Sequence, residues 1–279
     1  MASPECPRYF TRPPLAMVPV LVLTCVMSVA CAVAGTPHPS VVTGSHVVAG
    51  PPSLAGWKLT LPIAGKQGSA ATVDPAAVSP PWLTSDADGG LTLWASVQGA
   101  TTPNSRHART ELVSLSPFRA GTVRRQLAAT VAITQVPRDK PDVIIGQIHG
   151  ADDLSTEAFV MMHYTSGAVG VVVKQGPGSS PAVHLPLLTG VALGSPFDFT
   201  IVDGGNGKLT FGATQNGRTA TASTPVPAAF AGRRVRFQAG AYQQADSTGS
   251  AAPDDGARMT IRGLSVVPGP GRGAGAAVR

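Results

Sequence analysis

The feature that most constrains this chain is a run of short segments in which apolar and polar residues alternate, each closed by a turn signal. It begins at Trp57-Lys58-Leu59-Thr60-Leu61. It recurs at 91–97, 109–115, 127–133, 143–149, 158–164, 168–174, 197–202, 209–213, 234–242 and 258–266. A period of two residues marks a strand with one buried face. The punctuation is Asp88-Gly89-Gly90, Gly176-Pro177-Gly178, the stretch 203–207 and Asn216-Gly217, residue types that supply the backbone angles of tight turns. A long helical period is missing, and Pro75 to Val78 reads as one short turn of helix. Strands at this spacing predict an all-β chain folded as an antiparallel sandwich or jelly roll over residues 56–268.

Composition supports that choice. Charged residues make up 13% of the chain, about half the usual share, while glycines number 32 and prolines 26. This disfavours a helical bundle or coiled coil. The three cysteines are Cys6, Cys25 and Cys31. The main domain therefore has no disulfide framework, no cysteine-based zinc site and no cysteine nucleophile.

The N-terminus has the pattern of an export signal. Arg8 and Arg12 precede an apolar run from Leu15 to Val33, and Ala32-Val33-Ala34 fits the small-residue cleavage rule. The reading is a signal peptide over 1–34, cut after Ala34, and a secreted, extracellular protein with no stable membrane contact. A lipoprotein box at Ser28-Val29-Ala30-Cys31 and an uncleaved anchor are the alternatives. Residues 35–55 read as a linker or mobile arm, and 269–279, rich in Gly and Ala, as a flexible tail. The net charge is +6. A basic exported chain suits an acidic glycan better than nucleic acid.

Three clusters could carry chemistry. In Arg109-Thr110-Glu111-Leu112, strand alternation puts Arg109 and Glu111 on one face; the plain reading is a surface ion pair. In Gln147-Ile148-His149, Gln147 and His149 share a face and Ile148 points into the core. Two polar side chains on an otherwise apolar strand need partners or a wet cleft. In the stretch 236–244, Arg236, Gln238, Tyr242 and Gln244 share a face, with a gap at Gly240. Such a face could lie under an extended chain ligand or be ordinary exposed strand.

The order of these clusters, after Trp57-Lys58-Leu59-Thr60-Leu61-Pro62, resembles the alginate lyases of polysaccharide lyase family 7. The family patterns are approximately R-[ST]-E-L-R, Q-[IV]-H and Y-F-K-A-G-x-Y-N-Q. The chain departs from them at Val113, Arg236, Gln238 and Gln243. The resemblance implies a jelly roll of two antiparallel sheets with a concave substrate-binding face, acting as a monomer on an acidic polysaccharide. It implies Arg109, Gln147, His149 and Tyr242 as catalytic residues, and Glu111, Gln238, Gln244 and Arg236 as substrate-binding residues. The reaction it implies is β-elimination of a 1,4-linked uronate. Arg109 and Gln147 would neutralise the carboxylate beside C5, and His149 and Tyr242 would move protons. It calls for no metal and no cofactor. A non-catalytic carbohydrate-binding sandwich and a sandwich glycoside hydrolase are the rival readings. The first normally shows aromatic platforms; the second needs two carboxylates flanking the scissile bond.

Overall fold

A computed structural model describes residues 51–65, 68–246 and 250–268. The signal segment 1–34, residues 35–50 of the expected arm and the tail 269–279 lie outside the described residues. The rest of the arm lies on the domain. Leu54 packs against the core, and its carbonyl accepts from the Trp57 amide at 3.2 Å. No described helix is long and apolar enough to cross a membrane.

The strands run β1 (Trp57–Ala64), β2 (Ala70–Val73), β3 (Leu83–Ser85), β4 (Leu91–Ser96), β5 (Arg109–Ser114) and β6 (Phe118–Arg119). They continue with β7 (Arg124–Gln135), β8 (Asp142–Gly150), β9 (Ala158–Thr165), β10 (Ala168–Lys174) and β11 (Ala182–Leu188). The last five are β12 (Phe197–Gly204), β13 (Lys208–Gln215), β14 (Arg218–Pro225), β15 (Arg234–Gln243) and β16 (Gly256–Pro268). The short helical turn is a 3-10 turn at Pro75–Ala77, capped by the Asp74 side chain accepting from the Ala76 amide.

Among the described residues, nine strands form one antiparallel sheet, ordered β11-β10-β9-β8-β15-β5-β1-β2 with β6 beside β15. Seven form the other, ordered β14-β13-β12-β7-β16-β4-β3. This is the jelly-roll sandwich expected from the sequence. Strands distant in sequence become neighbours, so β5, β15 and β8 lie side by side.

The inner faces of the two sheets share one apolar core. Ile145, Ile148, Phe237, Ala239 and Ala241 from the first sheet join Leu127, Phe199, Ile201, Phe211 and Met259 from the second. Each fully buried large side chain of this kind contributes about 1.5–3 kcal/mol. Because successive side chains alternate faces, burying Phe237, Ala239 and Ala241 forces Arg236, Gln238 and Tyr242 to the outside of the same strand.

Two glycines are set by close approach. A Cβ on Gly240 would stand 2.5 Å from the Thr110 carbonyl oxygen, and one on Gly146 would stand 2.8 Å from Phe199. Near Gly146 the pairing of β8 to both neighbours shifts register. Ile145 and Gly146 both face the core there, so Ile144 and Gln147 both face outward.

Candidate active site

The outer face of the nine-stranded sheet carries an open cleft of ≈ 480 Å³. Register assembles its floor. Tyr242 on β15 pairs with Arg109 on β5, and Gly240 pairs with Glu111. Gln238 lies opposite Val113 on one side and Gln147 on the other, and Arg236 lies opposite His149. All the side chains expected at the site, including Gln244, line this one cleft.

Glu111 lies at the bottom of the cleft. Its residue surface is 0% exposed. One carboxylate oxygen accepts from Arg109 Nη1 at 3.3 Å and the other from Gln147 Nε2. Burial pushes the Glu111 carboxyl up, opposed by the Arg109 charge and the Gln147 hydrogen bond. Glu111 is thus a buried anchor that fixes Arg109 and Gln147 relative to each other, rather than the surface ion pair that the i, i+2 spacing suggests.

Gln147 spends its second amide hydrogen on Gln238 Oε1 at 3.2 Å, and its own Oε1 is buried with no partner. Arg109 is stacked on Tyr242, its guanidinium carbon 3.5 Å from the ring centroid. Nη2 of Arg109 reaches Thr102 Oγ1 at 3.4 Å, while its Nε is buried and unpartnered. Gln244 turns its amide back onto the carbonyls of Tyr242 and Gln243.

The tyrosine hydroxyl is held from a loop. Tyr242 Oη is 2.9 Å from Ser105 Oγ. Ser105 Oγ accepts from the His107 amide and donates to the His107 carbonyl, both at 3.0 Å. With that hydrogen on the His107 carbonyl, the Tyr242 hydroxyl is the donor to Ser105. The His107 ring lies 6.2 Å from the Tyr242 ring and is bonded to Asp246 at 2.9 Å.

The tautomer of His149 follows from its partner. Nδ1 lies 3.1 Å from the Gly150 carbonyl oxygen, which can only accept, so Nδ1 carries the proton and Nε2 keeps a lone pair. Burial lowers the His149 pKa to about 4; the Gly150 carbonyl opposes this, and the charges of Arg109 and Arg236 add to it. At neutral pH the imidazole is an uncharged base.

The tryptophans, Tyr164 and Glu157 are used elsewhere. Trp57 and Trp94 are buried, and Trp82 packs against the core. Tyr164 is buried, with its hydroxyl donated to the Val191 carbonyl at 2.7 Å. Glu157 pairs with Lys174 at 2.8 Å. Sequence reasoning missed Ser105 and Thr102, which sit in an aperiodic loop, and Ile144, whose face is set by the register shift in β8.

A family model described as alginate lyase, Alginate_lyase2, matches residues 53–267. The chain belongs to the alginate lyase 2 family. Solved structures of the family share its fold. The alginate lyase PA1167 from Pseudomonas aeruginosa is 28% identical, with a TM-score of 0.67 over 78% of this chain and 100% of that one. The family 7 alginate lyase A1-II′, solved as a variant in complex with product (GGG), is 26% identical, with a TM-score of 0.65 over 77% of this chain and 96% of that one. The alginate lyase from Klebsiella pneumoniae is 22% identical and shows the fold alone, with a TM-score of 0.67 over 78% of this chain and 97% of that one. No curated protein matches the sequence. Membership explains why motifs far apart in the chain occur in the order Arg-Thr-Glu-Leu, Gln-Ile-His, Ala-Gly-Ala-Tyr: β5, β8 and β15 each carry one.

Proposed function

We propose that this protein is a secreted polysaccharide lyase that cleaves alginate by β-elimination, with Arg109, Gln147, His149 and Tyr242 as its catalytic residues. One observation carries the reading: a fixed cation, an uncharged imidazole with a free Nε2 and a tyrosine hydroxyl line a single cleft. Elimination needs those three. The proton on C5 is hard to remove because the adjacent carboxylate is already negative. Arg109 stabilises the additional charge that develops there. Where the C5 proton lies on the histidine's face, His149 Nε2 takes it and Tyr242 gives its hydroxyl hydrogen to the departing O4; on the opposite face Tyr242 takes the C5 proton after its own hydrogen has left to solvent, and returns it to O4. Gln147 joins Arg109 by giving up its bond to Gln238. That bond joins two neutral amides and is the weaker of its two, since the one to Glu111 is charge-assisted.

The rival readings lose support on the same geometry. A hydrolase needs two carboxylates flanking the scissile bond. Of the two glutamates among the described residues, Glu111 is buried beneath the cleft and Glu157 is paired with Lys174. A carbohydrate-binding module needs aromatic platforms, and the tryptophans are spent on packing. Export is supported by Arg8, Arg12 and the apolar run ending at Ala34.

The decisive experiment isolates the protein from the culture medium, reads its N-terminus and incubates it with alginate. The expected N-terminus is at or near Gly35. Ultraviolet absorbance from the new C4–C5 double bond should rise in step with new reducing ends. Reducing ends without the chromophore would mean hydrolysis, and no product would leave a binding module. A retained Met1 would overturn cleavage of the signal.

The state of His149 gives an independent expectation. Its folded pKa of about 4 lies below the ordinary 6.5. The neutral form should therefore persist as pH falls from 6.5 towards 4. Across that window the unfolded chain binds the proton more readily, so stability should decline. Nitrogen-15 correlation spectra at pH 6 should show His149 neutral with the hydrogen on Nδ1. A doubly protonated ring at that pH would remove His149 as the base.

A further inference from the structure

The cleft contains a cation that nothing in the protein neutralises. Among the residues lining it, the carboxylate is Glu111, and Arg109 already balances that charge. Lys58 and Arg236 then make the cleft net positive. Lys58 is an exposed, flexible side chain on β1. Arg236 is different, because it is half-buried and its Nε is sealed from solvent without a hydrogen-bond partner.

The other described arginines are all engaged. Arg106, Arg138, Arg233, Arg234 and Arg262 each contact an aspartate, and Arg109 contacts Glu111. Arg119, Arg125 and Arg218 donate to backbone carbonyls. Arg124 donates to Gln126, and Arg258 lies over the Trp94 ring. Among the described residues Arg236 is the arginine left with no hydrogen bond, ion pair or ring contact. A buried guanidinium nitrogen without a partner is costly to the free protein and is a reason to look for a ligand. Arg236 is also placed to meet one. It shares the outer face of β15 with Tyr242, six positions away, and is the cross-strand neighbour of His149.

We infer that Arg236 is a specificity-determining residue that grips the carboxylate of a second uronate, along the chain from the one whose proton is removed. This rests on the lyase reading. Arg109 takes the carboxylate of the reacting unit, and Arg236, on the far side of Gln238, takes one from a unit further along. A planar guanidinium suits a carboxylate because it can donate two parallel hydrogen bonds. The enzyme therefore discriminates by length and charge. Chains long enough to reach Arg236 gain affinity; shorter or neutral chains do not.

The test uses Arg236→Gln and Arg236→Lys, with thermal unfolding as the folding control. In the wild-type background, Arg236→Gln should raise KM for polymeric alginate about tenfold and leave kcat within about twofold, since the lost contact is a charge-assisted bond made equally in ground and transition states. The rise should vanish on the shortest oligouronates that are still cleaved, and Arg236→Lys should recover part of it. Affinity is read separately by calorimetry with alginate oligomers in a Tyr242→Phe background. If no variant, nor the wild type, eliminates, but Arg236→Gln still weakens oligomer binding, the lyase reading fails and the carboxylate grip stands. If binding and KM are unchanged at every length, or if kcat collapses while KM holds, the grip is refuted and Arg236 acts in some other way.

Discussion

Tyr242→Phe is expected to lower kcat by at least about a hundredfold while KM and the folded state change little. The substitution keeps the ring, so it keeps the face on which the Arg109 guanidinium rests at 3.5 Å and the packing beside His107. It removes one hydroxyl, which in the free site donates to Ser105 Oγ. Ser105 retains its bonds to the His107 backbone, so the loop stays tied. The loss falls on the transition state, where O4 must leave with a proton. Tyr164→Phe is the matching control. Its hydroxyl is donated to the Val191 carbonyl in a buried site, so losing it should reduce stability and leave turnover alone. Measurement of kcat and KM for both variants on alginate, with circular dichroism, decides the matter. Near-normal turnover by folded Tyr242→Phe would leave His149 as the sole proton carrier and sink the mechanism.

These expectations draw on parts of the site that were legible in the sequence to different degrees. The face of Arg109 and Glu111, and that of Arg236, Gln238 and Tyr242, follow from period-two alternation, because a strand over an apolar core has no other way to turn. Long-range register is another matter. Nothing local to residues 109, 147 or 242 states that β5 pairs with β15 and β15 with β8; that follows from closing two sheets over one core. The register shift at Ile145 and Gly146 is also hidden, because Val143-Ile144-Ile145 is apolar at every position and alternation has nothing to count. Ser105 lies in a loop whose sequence has no period at all.

Apart from the two-residue β6, the strands the alternation did not reveal share one physical cause. β11 and β14 are the outermost strands of their sheets on one side, and β2 and β3 on the other. An edge strand need not present a strong apolar face. β11 carries Pro186, tolerable at an edge because a partner is missing on one side. β14, Arg-Thr-Ala-Thr-Ala-Ser-Thr-Pro, has no large apolar side chain and opens on Arg and closes on Pro, a composition that also blunts edge-to-edge association.

Glu111 is where the sequence reading was least informative and where the second large effect is expected. Arg109→Ala should remove two things at once. The charge facing the substrate carboxylate disappears, which should cut turnover by about a hundredfold or more. The partner of a fully buried carboxylate disappears too, which should cost about 3–5 kcal/mol of stability. For a domain of this size that corresponds to a fall in Tm on the order of 10 °C. The two losses can be separated. Burial already raises the Glu111 pKa, and Arg109 is the chief influence holding it down. Without Arg109 the carboxyl should take up a proton more readily in the folded state than in the unfolded one. Arg109→Ala should then be least destabilised at acid pH and lose stability as pH rises, the reverse of the trend expected from His149. Adding Glu111→Gln removes the buried charge while keeping a group that can accept from Gln147 Nε2. The double variant should regain much of the lost Tm at neutral pH and stay as inactive as Arg109→Ala. Recovery of stability without activity would establish that Arg109 serves the substrate as well as the fold. Recovery of both together would reduce Arg109 to a counter-ion for Glu111 and return the problem of neutralising the uronate carboxylate to the other cations of the cleft.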